Sequence, residues 1–118
     1  MDIRTVEGDD MSGPRGVDAI RQDVIRDVTT LLNMLIRALV DFPNEVIVRP
    51  VAGSQAVIFE VGVHAEDVRR VIGRKGRTAD ALREILINLG SKARSRFLLE
   101  VIEPVERSRT TYSSPDRR

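Results

Sequence analysis

The 118-residue sequence predicts one α+β domain, a three-stranded sheet carrying its helices on one face. Three observations lead there. Residues 45–63 contain two β-branched, alternating runs joined by Ala52-Gly53-Ser54. Residues 64–90 contain two short helical patterns that meet at Gly73-Arg74-Lys75-Gly76. A last apolar run, Phe97–Glu103, adds a third strand, so the order is helix, strand, strand, helix, turn, helix, strand.

Each element follows from local pattern. Residues 1–16 are rich in Gly, Asp and Ser and carry Pro14 without periodicity, which reads as a flexible arm. From Val17 the apolar residues Val17, Ile20, Val24, Val28, Leu31, Leu35 and Leu39 recur at spacings of three or four, the mark of a helix face. Pro43 ends that pattern, because the residue before proline disfavours α geometry. Thr29-Thr30 offer a second cap, so the segment reads as one helix of about 25 residues or as two, a helical extension at 17–30 and the domain's first helix from Leu31. Glu45–Val51 and Gln55–Val63 form a hairpin, with Val57, Phe59, Val61 and Val63 on one face. His64 caps a short helix whose first turn holds Glu66 and Asp67, where the helix dipole favours acids, and whose buried side is Val68, Val71 and Ile72. The next helix runs from Arg77 to Leu89 with Ala79, Leu82, Ile85, Leu86 and Leu89 inward, and Gly90 is its expected stop. Pro104 closes the last strand, and residues 105–118, rich in Arg and Ser, read as a basic tail.

Composition narrows the chemistry. At 118 residues there is room for a single domain of ordinary size. Cysteine and tryptophan are absent, so thiolate metal sites and disulfides are excluded. Three Phe and one Tyr are too few for base-stacking platforms. The single histidine, His64, suits capping better than catalysis or metal binding, and no cofactor or metal is expected. The opening MDIRTVEGDD lacks the basic and apolar regions of a secretory signal, and no apolar run has the length of a membrane span, so a cytoplasmic protein is expected.

The net charge of +1 conceals an asymmetry. Residues 1–30 hold four basic and seven acidic side chains, whereas residues 64–96 hold nine basic and four acidic. Arg69, Arg70, Arg74, Lys75 and Arg77 fall within nine positions that contain no acid. Such a local field suits a polyanion. Gly73 and Gly76 permit a tight turn and close approach of a ligand backbone, while Arg74 and Lys75 sit at its tip. A helix N-terminus beside such a turn adds backbone N–H groups for phosphate. Ala79 and Leu82, with Val71 and Ile72, are expected to border or support a groove for bases, as single-stranded RNA requires.

The rivals are weaker. GRKGRT lacks the Gly-x-x-x-x-Gly-Lys-Ser/Thr spacing of a nucleotide-binding loop. A DNA-binding helix-hairpin-helix needs glycines two apart around an apolar residue, and here two cations intervene. Lys92, Arg94 and Arg96 read equally as a solvated loop or as auxiliary contacts. No catalytic constellation appears.

The stretch VIGRKGRTADALREIL, preceded by ALVDFPNEVIVRPV and followed by FLLEVIE, resembles the short bacterial single-KH-domain proteins of the KhpA type over residues 31–104. The resemblance implies a type II KH-like fold and a non-enzymatic RNA-binding protein of post-transcriptional control. It further implies that Gly73, Arg74, Lys75 and Gly76 clamp the backbone of about four nucleotides; the charge and apolar pattern adds Arg70 and Arg77 as helpers in holding phosphates and Ile72, Ala79 and Leu82 as border or support of the groove. The segments ahead of and behind those residues depart from the family. The competing class is an assembly module of KH-like shape without RNA affinity. A homodimer, or a heterodimer with another KH-containing protein, is also expected: Ile47, Ile58, Leu98 and Ile102 should face away from the helices, leaving an apolar sheet face for a partner or for the segment Val17–Val28.

Overall fold

In the computed structural model residues 13–102 are described, with side chains from Asp18 onward. Helix α1 spans Gly13–Leu39 without a break at Thr29-Thr30, a single helix of 27 residues that starts ahead of Val17. Thr29 does not cap; its hydroxyl donates back to the Ile25 carbonyl within the helix at 2.7 Å. The hairpin strands are β1 (Ile47–Ala52) and β2 (Ala56–Gly62), followed by α2 (Val68–Ile72), α3 (Arg77–Lys92) and β3 (Arg96–Ile102). The arm at residues 1–12 and the segment 103–118, with Pro104 and the basic tail, lie outside the described residues.

The sheet order is β1-β2-β3, antiparallel between β1 and β2 and parallel between β2 and β3. The parallel pair requires a crossover, and α2 with α3 supplies it, which leaves the turn between those helices at the surface. Pro50 is tolerated in β1 because that strand is an edge. Period two places Val57, Phe59, Val61, Phe97 and Leu99 inward, all buried. Phe59 and Phe97 meet edge to face with centroids 5.0 Å apart.

Helix α1 closes the other side of the core, with a register that differs from the expected stripe. Val24, Ile25, Val28, Leu32 and Ile36 are buried, whereas Ile20, Leu31, Leu35 and Leu39 are exposed. The helix carries two overlapping apolar rows, and the one that packs is the row the sheet can cover. Val24, Ile25 and Val28 join the same core as the rest of the domain, so this part of α1 does not cover the outer sheet face. That face is as expected: Ile47, Leu98 and Ile102 are exposed and Ile58 is half-buried. It reads as two apolar rows, Val51–Ile58–Leu98 and Ile47–Gly62–Ile102, separated by Arg49, Glu60 and Glu100, with Arg49 and Glu60 paired at 2.9 Å.

Helix α3 passes through Gly90 instead of stopping there. A Cβ on Gly90 would lie 2.4 Å from the Ser95 carbonyl oxygen and 3.1 Å from the Phe97 nitrogen, so the glycine lets the chain fold back closely onto the helix. Ile85, expected inward, is exposed, while Ala79, Leu82 and Leu86 are buried. The helix ends where Ser95 N–H donates to the Gly90 carbonyl and Arg94 N–H to that of Ser91. This is a Schellman closure with Arg94 at the left-handed position, φ 53°. Glycine is the unstrained residue there. Arg94→Gly is therefore expected to stabilise the fold by about 0.5–1 kcal/mol, the left-handed penalty less glycine's added chain entropy, and to raise the thermal midpoint by about 2–6 °C.

Candidate nucleic-acid interface

The Gly-x-x-Gly segment is a single tight turn between α2 and α3. Gly73 takes φ 82° and ψ 169°, Lys75 takes φ 57°, and Gly76 takes φ 76°. Gly73 N–H donates to the Arg69 carbonyl at 2.8 Å and Gly76 N–H to the Gly73 carbonyl at 3.0 Å, closing the turn on itself. The two glycines are required for different reasons. A Cβ on Gly73 would stand 2.3 Å from Thr78 Oγ1 and 2.7 Å from Thr78 N, whereas one on Gly76 would meet nothing within 4 Å. Gly73 gives way to the start of α3, and Gly76 supplies only a left-handed backbone.

The charges separate into two groups. Arg69, Arg74, Lys75 and Arg77 are exposed, and among the described residues no carboxylate pairs with any of them. Arg70 differs from its expected role: Nη2 lies 2.8 Å from Asp41 Oδ2 and Nε 3.5 Å from Asp67 Oδ1. Two carboxylates hold it against the end of α1, so it supports the turn and adds little free positive charge. Beside the turn, α3 starts at Arg77 with Gly76 at its N-cap, so no side chain caps it. The Arg77 N–H is taken by the Arg74 carbonyl, so the attraction for an anion here rests on the helix dipole and on the basic side chains around it.

The apolar residues expected at the groove lie lower. Ala79 and Leu82 are 2% and 6% exposed and belong to the core. They seat α3 on the sheet instead of receiving a base. Val71 is fully buried, and Ile72, half-buried, packs at the edge of the same core. Sequence periodicity marks all four as apolar-face residues, but it does not separate the rim of a groove from its floor.

Asp67 departs furthest from expectation. It stands in the first turn after His64 as expected, yet it is fully buried, the one buried charged side chain among the described residues. Its carboxylate accepts the backbone N–H of Asp41 at 3.0 Å and of Phe42 at 2.9 Å. The same junction stacks Phe42 on His64 with centroids 4.0 Å apart. His64 does cap as expected, its Nδ1 accepting the Glu66 N–H at 3.0 Å. Asp67 thus fastens the start of α2 to the end of α1, and with it the position of the turn. Sequence carries no sign of this, since the partners are backbone groups 25 and 26 residues away.

Among the described residues no group of three or more His, Cys, Asp or Glu could hold a metal ion, and no helix is long and apolar enough to cross a membrane.

A helix-turn-helix with a basic Gly-x-x-Gly turn, crossing between two parallel strands of a three-stranded sheet, defines a KH-type RNA-binding domain. The model for the KhpA/KhpB KH domain matches residues 29–101, and the chain belongs to that family. Among its relatives, RNA-binding protein KhpA of Clostridium acetobutylicum is 40% identical over 72 residues, which cover 61% of this chain and 96% of that one. The Chlamydia pneumoniae protein of the same name is 38% identical over 72 residues, 61% of this chain and 92% of its own. That of Listeria monocytogenes is 36% identical over 73 residues, 62% of this chain and 96% of its own. No solved structure gives a significant match. The protein is accordingly an RNA-binding KH protein of a non-enzymatic, bacterial family.

Proposed function

We propose that the turn Gly73–Gly76 clamps the sugar-phosphate backbone of short single-stranded RNA in bacterial post-transcriptional regulation. The carrying observation is an uncapped helix start beside four exposed cations, Arg69, Arg74, Lys75 and Arg77, that no described carboxylate neutralises. Arg74 and Lys75 hold phosphates, Arg77 and Arg69 flank them, and Arg70 braces the turn from behind. Residues 31–104 form the RNA-binding unit, with 17–30 an extension of its first helix. The work is done in the cytoplasm, where bacterial RNA is. With the buried apolar residues beneath the turn and no exposed aromatic ring on it, recognition is of backbone more than of bases.

A salt titration against a single-stranded RNA pool tests this reading. With two to four phosphate contacts, the logarithm of affinity should fall with that of salt at a slope of about −1.4 to −2.8. Arg74→Asp/Lys75→Asp, folded by circular dichroism, should lose measurable binding at physiological salt. Equal binding by this variant would defeat the clamp.

The same reading includes a dimer, homo- or heterodimeric with another KH-containing protein, through the apolar rows of the outer sheet face. Its support is the exposure of Ile47, Val51, Leu98 and Ile102 on one surface. Sedimentation of the protein alone and mixed with a KH-containing partner should show masses above the monomer at micromolar concentration, and Ile47→Lys should abolish them.

A further inference from the structure

The turns before and after helix α3 each hold a cation in the left-handed region. Lys75 and Arg94 are the two non-glycine residues at positive φ among those described, at 57° and 53°. Arg94 stands in a turn whose hydrogen bonds favour glycine, so the arginine is kept at a cost in stability. It does not stand alone. Lys92, Arg94 and Arg96 are all exposed, and among the described residues none pairs with a carboxylate. No acid occurs from Ile85 to Leu99. With Gln55, Ser91 and Ser95, Arg94 and Arg96 line an open depression at this end of the sheet.

The turn is also held firmly. Arg21 of α1 donates from Nε to Ser95 Oγ at 2.8 Å and from Nη2 to the Gly53 carbonyl. It joins the α3–β3 turn to the β1–β2 turn. Its helix segment is seated by Val24, Ile25 and Val28, all buried and all ahead of the matched residues 29–101. A strained, charged turn braced by an added stretch of helix is a site prepared for a ligand, and the ligand its charge suits is an anion.

We propose that Lys92, Arg94 and Arg96 form a second phosphate contact for the same RNA strand. It lies at the far end of α3, about 24 Å of helix from the Gly-x-x-Gly turn, and lengthens the footprint beyond the nucleotides clamped there. This deepens the RNA-clamp reading and rests on it.

Labelled oligouridylates of 5 and 15 nucleotides, followed by fluorescence anisotropy across a salt series, test the contact. For Arg94→Gly/Arg96→Gln the ratio of 15-mer to 5-mer affinity should fall. The 15-mer salt slope should shrink by about 1.4 for two lost contacts, so that between 50 and 200 mM salt the variant loses about sevenfold less affinity than the wild type. Because Arg94→Gly relieves backbone strain, the thermal midpoint should hold or rise, which separates lost contact from lost fold. An unchanged 15-mer affinity and slope would overturn the proposal, and would leave these cations to a protein partner or to solvent. Arg74→Asp/Lys75→Asp, measured alongside, reads the clamp independently. If that variant binds normally while Arg94→Gly/Arg96→Gln still flattens the slope, the clamp fails and the second contact stands.

Discussion

Gly73→Ala should destabilise the domain by about 3–5 kcal/mol, whereas Gly76→Ala should cost only about 1–2 kcal/mol. At Gly73 two penalties act together. Its φ 82° and ψ 169° fall in a region open essentially to glycine alone. An added methyl would also stand 2.7 Å from the Thr78 backbone nitrogen, an atom that cannot move without displacing α3. At Gly76 the space is open, and only the left-handed backbone penalises a side chain. Because a domain of this size has about 5–15 kcal/mol of stability in all, the first change should remove a large share of it and lower the urea midpoint steeply. The second should shift the midpoint modestly and leave a folded protein whose turn still binds RNA. Equal losses in urea unfolding would show that the Thr78 contact is not what demands glycine at position 73.

Asp67→Ala should cost about 2–4 kcal/mol, more than any exposed ion pair in the molecule. Removing the carboxylate strands the N–H groups of Asp41 and Phe42 without their acceptor, and each lost partner of that kind costs about 1–3 kcal/mol. Asp67→Asn keeps one acceptor oxygen and should lose about half as much. The effect should reach the RNA site, because the polar ties between α2 and the end of α1 are then reduced to the Arg70–Asp41 pair, which is half-exposed and of the kind worth about 0–1 kcal/mol. Thermal unfolding should rank the wild type first, Asp67→Asn second and Asp67→Ala last. RNA titration at low temperature, where the Asp67→Asn variant is folded, should show weaker binding with an unchanged salt slope, since no phosphate ligand has been removed. A wild-type melting curve for the alanine variant would show that the burial of Asp67 carries no stability.

The elements and their order were legible because their signals are local. Alternation in Val57–Val63 and the three-to-four spacing in α3 each arise within one segment, and Pro43 and the glycines mark boundaries through their own backbone limits. The basic Gly-x-x-Gly turn was legible for the same reason, since its residues adjoin one another. The errors share a different cause. α1 has two apolar rows of nearly equal quality, and only the sheet beneath it selects Leu32 and Ile36 over Leu31 and Leu35. Gly90 looks like a helix stop by composition, but what it accommodates is the backbone of Ser95 and Phe97.

By itself the sequence determined the α+β order, the one-sided strands, the two glycines with Arg74 and Lys75 between them, and the membership in an RNA-binding family that those features signal. Only the tertiary structure decided which cations are free and which are occupied. Arg70 and Arg74 are indistinguishable in a charge count, yet Asp41 and Asp67 close around the first and no described carboxylate reaches the second. The physical reason is that propensity and periodicity act over a few residues, whereas the pairing of a charge depends on which groups the fold brings within hydrogen-bond reach. The anchoring of α2 by Asp67 and the strained Arg94 turn braced by Arg21 belong to that second kind of information.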